Sequence, residues 1–273
     1  MKGNPPRYRL GVNPILRRRG YGEGTEGETS QRKDEMSMNK PDLSVLMWEF
    51  ERDLCGGLTK EMMEEMTEIR VKHALSQMEN AIKERSGMKF MGVVKNSNRA
   101  LHLLRNAPLL REHGMYEAAL VYTYTSGHAP VDGWPLLFSM ADRERLRKCG
   151  DPLPHAGPFM VYRGVAGRGR QRAVKHYSWT GTLDCARWFA GRASYIDSLP
   201  DPAVFVVTVP ASEVLFYTNN RDEDEYVLST EMLRPRRLER VTKEQFDEIV
   251  NVRGEKGMSE MKVMSAEVPK ELK

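Results

Sequence analysis

The hydrophobic pattern of the chain changes at Gly150, and this change constrains the fold more than any other feature of the sequence. Before Gly150, apolar residues recur at helical spacing, as in Leu43, Leu46 and Phe50. After it, short runs rich in β-branched and aromatic residues are bounded by turn-forming residues, which is typical of strands. These runs are FMVYR, YSWT, AVFVVTV, VLFY and EYVL. We therefore predict an α+β protein with helices first and strands second.

Glycine and proline divide the helical pattern into segments. Gly56-Gly57 is predicted to end the first helix, Gly87 the second and Pro108 the third. Thr182 can cap a helix that interrupts the strands. The other predicted helices cover residues 115–124, 135–148, 183–192 and 243–250.

Composition divides the chain into four parts. Residues 1–40 are rich in glycine and charge and poor in apolar side chains, so burial would not offset the loss of conformational entropy. We predict a disordered basic tail there and a helical region over 41–111. The mixed helix and strand domain covers 112–240, with its motifs within 159–228. Residues 241–273 are predicted to hold a short helix and a loose C-terminal tail.

The cysteines and the charge exclude several classes of protein. Cys55, Cys149 and Cys185 are far apart and form no CxxC pair, so neither a zinc site nor a disulfide framework is indicated. No apolar run is long enough to cross a membrane, and none follows the basic N-terminus as in a secretory signal. The net charge of +4 is mild. We expect a cytoplasmic protein with no metal and no membrane partner.

Three of the predicted strands carry polar side chains that can meet. Arg163 stands at the end of the first strand. Ser178 and Thr180 share a face of the second strand because side chains alternate, and the residue between them points towards packing. Glu223 and Glu225 share a face of the last strand if that segment is extended. An arginine, a hydroxyl pair and two carboxylates can build a site for a phosphorylated, ribose-containing ligand.

The order and local sequence of these motifs resemble the ADP-ribosyltransferase superfamily, in the branch with an arginine–serine–glutamate signature. The resemblance covers about 159–228 and rests on YRG, on SWT followed by a helix with A-xx-FA, and on the Glu-x-Glu pair. The family's usual serine-threonine-serine run is here SWT. The resemblance implies that 112–240 is an ADP-ribosyltransferase domain with a split β-sandwich core and NAD in its cleft. It implies NAD-binding roles for Tyr162, Arg163, Gly164, Ser178 and Thr180.

Each of these residue types fits a need of NAD cleavage. Loss of nicotinamide creates positive charge on the ribose ring, as in glycoside hydrolysis, and the Glu225 carboxylate can stabilise that charge. Glu223 can act as a general base towards the attacking group. The Arg163 guanidinium can bind pyrophosphate or ribose through several directed hydrogen bonds. Ser178 can fix the glutamate or the ribose, and Thr180 can help to hold the strand geometry.

The resemblance implies a mono-ADP-ribosyltransferase that moves ADP-ribose from NAD to a macromolecule and releases nicotinamide. Members with a Glu-x-Glu pair often modify protein arginine, which is the expected acceptor here; nucleic acid is the other acceptor class. Such an enzyme suits a toxin or a phage-delivered effector. Two alternatives stay open: an NAD glycohydrolase, and a non-catalytic protein that docks a partner through its helices and basic tail. Deleting residues 1–110 would separate docking from NAD chemistry.

Overall fold

The computed structural model describes residues 40–53, 59–126, 133–169, 173–219, 223–231 and 233–256. Within these ranges the protein is α+β, as predicted, with ten α-helices and a six-stranded sheet. None of the helices in these ranges is long and apolar enough to span a membrane. The predicted tail before Lys40, the predicted break at Gly56-Gly57 and residues 257–273 lie outside the described residues.

Eight helices precede the sheet in the described part of the chain. They are α1 (Ser44–Asp53), α2 (Lys60–Lys83), α3 (Gly87–Met91), α4 (Arg99–Arg105), α5 (Ala107–Glu112), α6 (Tyr116–Ser126), α7 (Trp134–Ser139) and α8 (Arg143–Lys148). Side-chain oxygens cap the N-termini of several of these helices. Thr59 Oγ1 accepts from the backbone N–H of Met62 at 3.3 Å in the first turn of α2.

Three of the predicted helix boundaries are wrong for local reasons. The long helix α2 ends at Lys83, and Gly87 instead begins α3, where a Cβ would lie 2.6 Å from the backbone nitrogen of Ala119. Pro108 lies in the first turn of α5, where its missing N–H costs nothing. The predicted helix over 135–148 is two helices, because the Asp142 side chain accepts from the backbone N–H of Arg145 at 2.9 Å and starts α8.

The sheet is antiparallel throughout and has the strand order β4-β5-β2-β1-β3-β6. Its strands are β1 (Phe159–Val165), β2 (Ser178–Thr180), β3 (Ala203–Val209), β4 (Val214–Thr218), β5 (Glu225–Leu228) and β6 (Arg236–Arg240). All five predicted strands are confirmed. The sixth, β6, was not predicted, because RRLER forms an exposed edge strand without the apolar run that marks the others.

Helix α9 (Leu183–Gly191) packs on β1, and α10 (Lys243–Lys256) packs on α9. A Cβ at Gly164 would lie 1.7 Å from the carbonyl oxygen of Ala186, so only glycine permits this approach of strand and helix. Thr182 occupies the N-cap position of α9, as predicted, but makes no side-chain capping bond. Its hydroxyl lies 3.4 Å from that of Thr180 instead.

One hydrophobic cluster joins the helices to the sheet. Leu46, Met78 and Leu120 from the helices share this cluster with Phe216 of β4 and Val227 of β5. The predicted boundary between residues 111 and 112 falls in the last turn of α5, and both α5 and α6 contribute to this cluster. The helical region and the part of the sheet that holds β4 and β5 are therefore buried against each other.

A second contact ties α8 to the sheet edge. The Arg147 guanidinium donates to the carbonyl oxygens of Ala211 at 3.1 Å and Val214 at 2.9 Å. These carbonyls lie at or beside β4, the edge strand of this side of the sheet. The hydrogen bonds satisfy backbone groups that an uncovered edge would leave without partners.

The burial of His102 on α4 makes the stability of the fold depend on pH. It is fully buried, stacks on Phe90 at 5.5 Å between ring centroids, and its Nδ1 lies 3.3 Å from Nδ2 of Asn106. Burial lowers the pKa of His102 to about 4. An unfolded chain restores a pKa of about 6.5. Between these values the unfolded state binds more protons, so stability is lost as the pH falls through this window.

We expect the free energy of unfolding to drop by up to about 3 kcal/mol for His102 between pH 6.5 and pH 4. Urea unfolding at pH 7, 6, 5 and 4 measures this drop. His102→Leu should lose a large part of the pH dependence. It should not lose all of it, because burial also lowers the pKa of His176 to about 4. An unchanged slope in the variant would contradict the assignment.

Candidate active site

A cavity of about 220 Å³ lies where β1, β2 and β5 meet. Its lining includes every residue that the sequence predicts for the site. These are Tyr162, Arg163, Gly164, Ser178, Thr180, Glu223 and Glu225. His176, Trp179 and Phe189 complete the lining. The structure thus gathers the predicted residues, which the sequence spreads over three motifs, around one space.

The register of the strands explains part of this convergence. Tyr162 lies opposite Thr180, and Thr180 lies opposite Glu225. Residues directly opposite each other in an antiparallel pair share a face, so these three side chains form one row across the sheet. Ser178 stands two residues before Thr180 and joins the same face. Trp179, in between, is buried in a separate cluster, as predicted.

Arg163 is a cation held between β1 and β2. Its Nε donates to the carbonyl oxygen of Ala173 at 2.8 Å, and its Nη1 donates to the carbonyl oxygen of Ser178. Burial lowers the pKa of Arg163 to about 10, against the opposing effects of Tyr124 and Glu225. The group therefore stays protonated at neutral pH. The two bonds use two of the five N–H groups of the guanidinium and fix its plane.

Glu223 reaches the cavity from a turn, whereas Glu225 reaches it from the start of β5. Asp224 has a φ of 49°, so the segment is not extended and β5 begins at Glu225. The expected shared strand face of Glu223 and Glu225 is therefore absent. The Tyr217 hydroxyl donates to the Asp224 carboxylate, which holds this turn. Both glutamates nevertheless line the cavity, and Glu225 is only 9 % exposed.

Thr180 connects β2 to that turn. Its Oγ1 donates to the carbonyl oxygen of Glu223 at 2.7 Å and accepts from the backbone N–H of Thr182 at 3.2 Å. Next to it, the backbone N–H of Gly181 donates to the carbonyl oxygen of Asp224 at 2.9 Å. The hydroxyl of Thr180 therefore holds the strand geometry around the glutamates.

Tyr162 and Gly164 shape the cavity and also support α9. Tyr162 is 6 % exposed and packs with Leu183 and Ala186 of the helix. Gly164 lets the helix approach β1. Both residues therefore support the packing of α9 on β1, in addition to the binding role that the resemblance implies.

His176 lines the cavity and was not predicted from the sequence. Both of its ring nitrogens are buried without a hydrogen-bond partner among the described residues. Burial, together with the positive charge of Arg163, lowers the pKa of His176 to about 4. At neutral pH its imidazole is therefore neutral, with one nitrogen as donor and the other as acceptor. In the sequence, its position two residues before Ser178 is the feature that could have indicated a place in the cavity.

Tyr124 approaches the site from helix α6, although it does not line the cavity. The Ser178 side chain and the charges of Glu225 and Arg163 act on its pKa. Burial raises the pKa of Tyr124 well above its usual value, so the hydroxyl stays protonated. No local pattern marks this residue, because the groups that act on it belong to strands much later in the chain.

The size of the cavity limits what it can enclose. Pockets that enclose a drug-sized ligand measure about 300–1,000 Å³. The cavity, at about 220 Å³, lies below this range and can enclose only part of a ligand of that size. Among the residues that the structure describes, no group of three or more His, Cys, Asp or Glu side chains could hold a metal ion.

The chain matches no family model, no curated protein and no solved structure. The side chains that line the cavity include a guanidinium, two carboxylates, three hydroxyls and a neutral imidazole. Such a set can bind a polar ligand that carries phosphate, through the guanidinium, and can place a carboxylate beside a centre where positive charge develops.

Proposed function

We propose that the chain is a mono-ADP-ribosyltransferase that cleaves NAD and transfers ADP-ribose to a macromolecule. The observation that carries the proposal is the convergence of Arg163, Ser178 and Glu225 on one cavity from three neighbouring strands. They follow one another in the order of the arginine–serine–glutamate branch that the sequence resembles.

The sheet also fits such a core. Among the described residues, β1 and β2 share a single registered pair, Tyr162 with Thr180. On one side of this pair lie β4, β5 and β2, and on the other lie β1, β3 and β6. A split β-sandwich would divide at this junction, and the cavity lies beside it. The pairing of β1 and β2 at this single position therefore supports a cleft for the nicotinamide end of NAD.

In the proposed reaction the bond between the nicotinamide nitrogen and C1′ of the ribose breaks. The electron pair leaves with nicotinamide, and positive charge develops on the ribose ring. The carboxylate of Glu225 stabilises this charge from a buried position, where it interacts more strongly than in water. Arg163 binds the pyrophosphate or a ribose hydroxyl, and Ser178 holds the ribose or the glutamate.

The second half of the reaction attaches the acceptor. A nucleophilic nitrogen of the acceptor forms the new bond to C1′, and its proton passes to the carboxylate of Glu223. A protein arginine is the acceptor that the Glu-x-Glu pair favours. The turn at Asp224 places Glu223 outside the strand, at the same cavity as Glu225. This arrangement supports separate roles for the two glutamates.

Incubation of the purified full-length chain with NAD and a cell lysate tests the proposal. We expect release of nicotinamide and ADP-ribose adducts on arginine that mass spectrometry detects. Free ADP-ribose without labelled macromolecule would favour the NAD glycohydrolase instead. If neither nicotinamide release nor adducts are detected, both enzyme functions are contradicted and the partner-binding alternative is favoured.

Glu223→Gln is expected to separate transfer from hydrolysis. Loss of a general base should reduce labelling of the acceptor by about 100-fold, the lower end of what such a group contributes. Nicotinamide release in the absence of acceptor should fall less than about tenfold, because Glu225 remains in place. Glu248→Gln on the exposed face of α10 is the control, since it removes a glutamate that does not line the cavity. An equal loss of both activities would contradict the separate role of Glu223.

A further inference from the structure

His176 lies just before β2 and is held beside the cavity that it lines. The indole N–H of Trp179 donates to the carbonyl oxygen of His176 at 2.8 Å, and Trp179 itself is buried in the sheet. The His176 ring meets the ring of Tyr177 edge to face, with 5.9 Å between centroids and the planes at 82°. These contacts hold the backbone and the plane of the imidazole.

The two ring nitrogens of His176 are its unusual feature. Both are buried, and neither has a hydrogen-bond partner among the residues that the structure describes. Most buried polar side-chain atoms in folded proteins are hydrogen-bonded, and an unsatisfied one destabilises the fold through its lost hydration. This cost falls at the cavity that also gathers Arg163, Ser178 and Glu225. A ligand in the cavity can offset it by supplying a partner.

The lack of partners also leaves the orientation of the ring open. A half-turn about the Cβ–Cγ bond moves Nδ1 to the position of Cδ2 and Nε2 to that of Cε1, and it leaves the ring plane unchanged. The half-turn keeps the edge contact with Tyr177 and breaks no hydrogen bond to a described residue. A bound ligand can therefore decide between the two orientations, because the protein does not.

Charge indicates which kind of ligand group the ring can bind. Burial and the positive charge of Arg163 lower the pKa of His176 to about 4, so the ring is neutral at neutral pH and offers one donor and one acceptor. A hydroxyl or a carboxamide also offers both, whereas a phosphate is bound best by a cation, which Arg163 supplies. NAD carries both uncharged groups, in its ribose hydroxyls and its nicotinamide.

We infer that His176 binds the ligand of the proposed site directly, by turning one ring nitrogen towards a hydroxyl or the carboxamide of NAD. This inference rests on the proposed function. It gives a binding role to a residue that lies outside the YRG, SWT and Glu-x-Glu motifs. Recognition is then divided between Arg163, which binds a charged part of the ligand, and His176, which binds an uncharged part.

Substitution by leucine separates ligand contact from packing. Replacing an unsatisfied buried polar group by an apolar group of similar size is neutral or stabilising. His176→Leu should therefore melt at the same or a higher temperature without ligand, while its affinity for ligand falls. His102→Leu is the matched control, because His102 also has a buried ring nitrogen without a described partner and a pKa of about 4, but does not line the cavity.

The experiment is isothermal titration of the full-length chain with nicotinamide and with ADP-ribose, beside thermal melting and nicotinamide release from NAD. We expect His176→Leu to weaken binding of one of these two compounds about tenfold. A loss for nicotinamide identifies the carboxamide as the partner, and a loss for ADP-ribose identifies a ribose hydroxyl. His176→Gln, whose amide keeps a donor and an acceptor, should recover part of the affinity. His102→Leu should bind both compounds as the wild type does.

The outcomes distinguish this inference from the function on which it rests. A wild-type chain that binds neither compound and cleaves no NAD overturns both. Wild-type binding and cleavage with unchanged affinities in His176→Leu overturns the inference alone. So does a lower melting temperature of His176→Leu with weaker binding of both compounds, because that points to general destabilisation. Weaker binding of one compound by His176→Leu, with no nicotinamide release by the wild type, supports the contact and contradicts the transferase.

Discussion

Replacing Glu225 by glutamine is expected to reduce nicotinamide release from NAD about 10³-fold, the size of effect seen when a preorganised electrostatic group is removed. The amide has the shape of the carboxylate but lacks the negative charge that stabilises the developing positive charge on the ribose. Because Glu225 lies at the start of β5 opposite Thr180, the substitution changes no backbone pairing. Initial rates and single-turnover rates with NAD measure the loss.

The folded state should survive this substitution. Glu225 helps to keep Arg163 charged, but the guanidinium also donates to the carbonyl oxygens of Ala173 and Ser178, which remain. A matched control is Glu117→Gln, which alters a carboxylate of similar burial, 5 % exposed, outside the cavity. That carboxylate accepts from the backbone N–H of Asp142 at 3.0 Å, so its loss should cost stability and not activity. A fully active, folded Glu225→Gln chain would refute the proposed function.

Met78→Ala is expected to destabilise the sheet as well as the helix that carries it. Met78 on α2 is fully buried in the cluster that also contains Phe216 and Val227. Truncating such a side chain costs about 2–5 kcal/mol. Since the cluster is shared, urea should unfold the helices and the strands β4 and β5 in one transition at a lower midpoint. Far-UV circular dichroism and hydrogen exchange of the strand amides follow the two parts separately.

Met62→Ala supplies the control on the same helix, because that side chain is 48 % exposed. Its effect should stay within about 0.5 kcal/mol. Two separate unfolding transitions, with the strands unaffected by Met78→Ala, would contradict a shared core.

The same cluster changes how a deletion of residues 1–110 must be interpreted. Such a deletion removes Leu46, Met78 and Leu103 from the core, so a loss of activity would report unfolding and not docking.

The local pattern of the sequence determined the order of helices and strands, the five strands β1 to β5 and the residue types of the site. This was possible because an apolar run and its turn-forming neighbours are local properties. Where the local signal was ambiguous, prediction failed: a charged edge strand, β6, has no apolar run, and Asp142 begins a helix inside an apparently continuous one. The resemblance to the arginine–serine–glutamate branch also came from the sequence, through short motifs in a fixed order.

Only the tertiary structure decided how those residues meet. Strand register placed Thr180 opposite Glu225, and a turn with a positive φ at Asp224 brought Glu223 to the same cavity. Packing of α6 against β4 brought the ring of Tyr124 to within 5.8 Å of that of Phe216, between ring centroids. These contacts join residues that are far apart in the chain, so they depend on how whole elements pack and leave no periodic trace in the sequence.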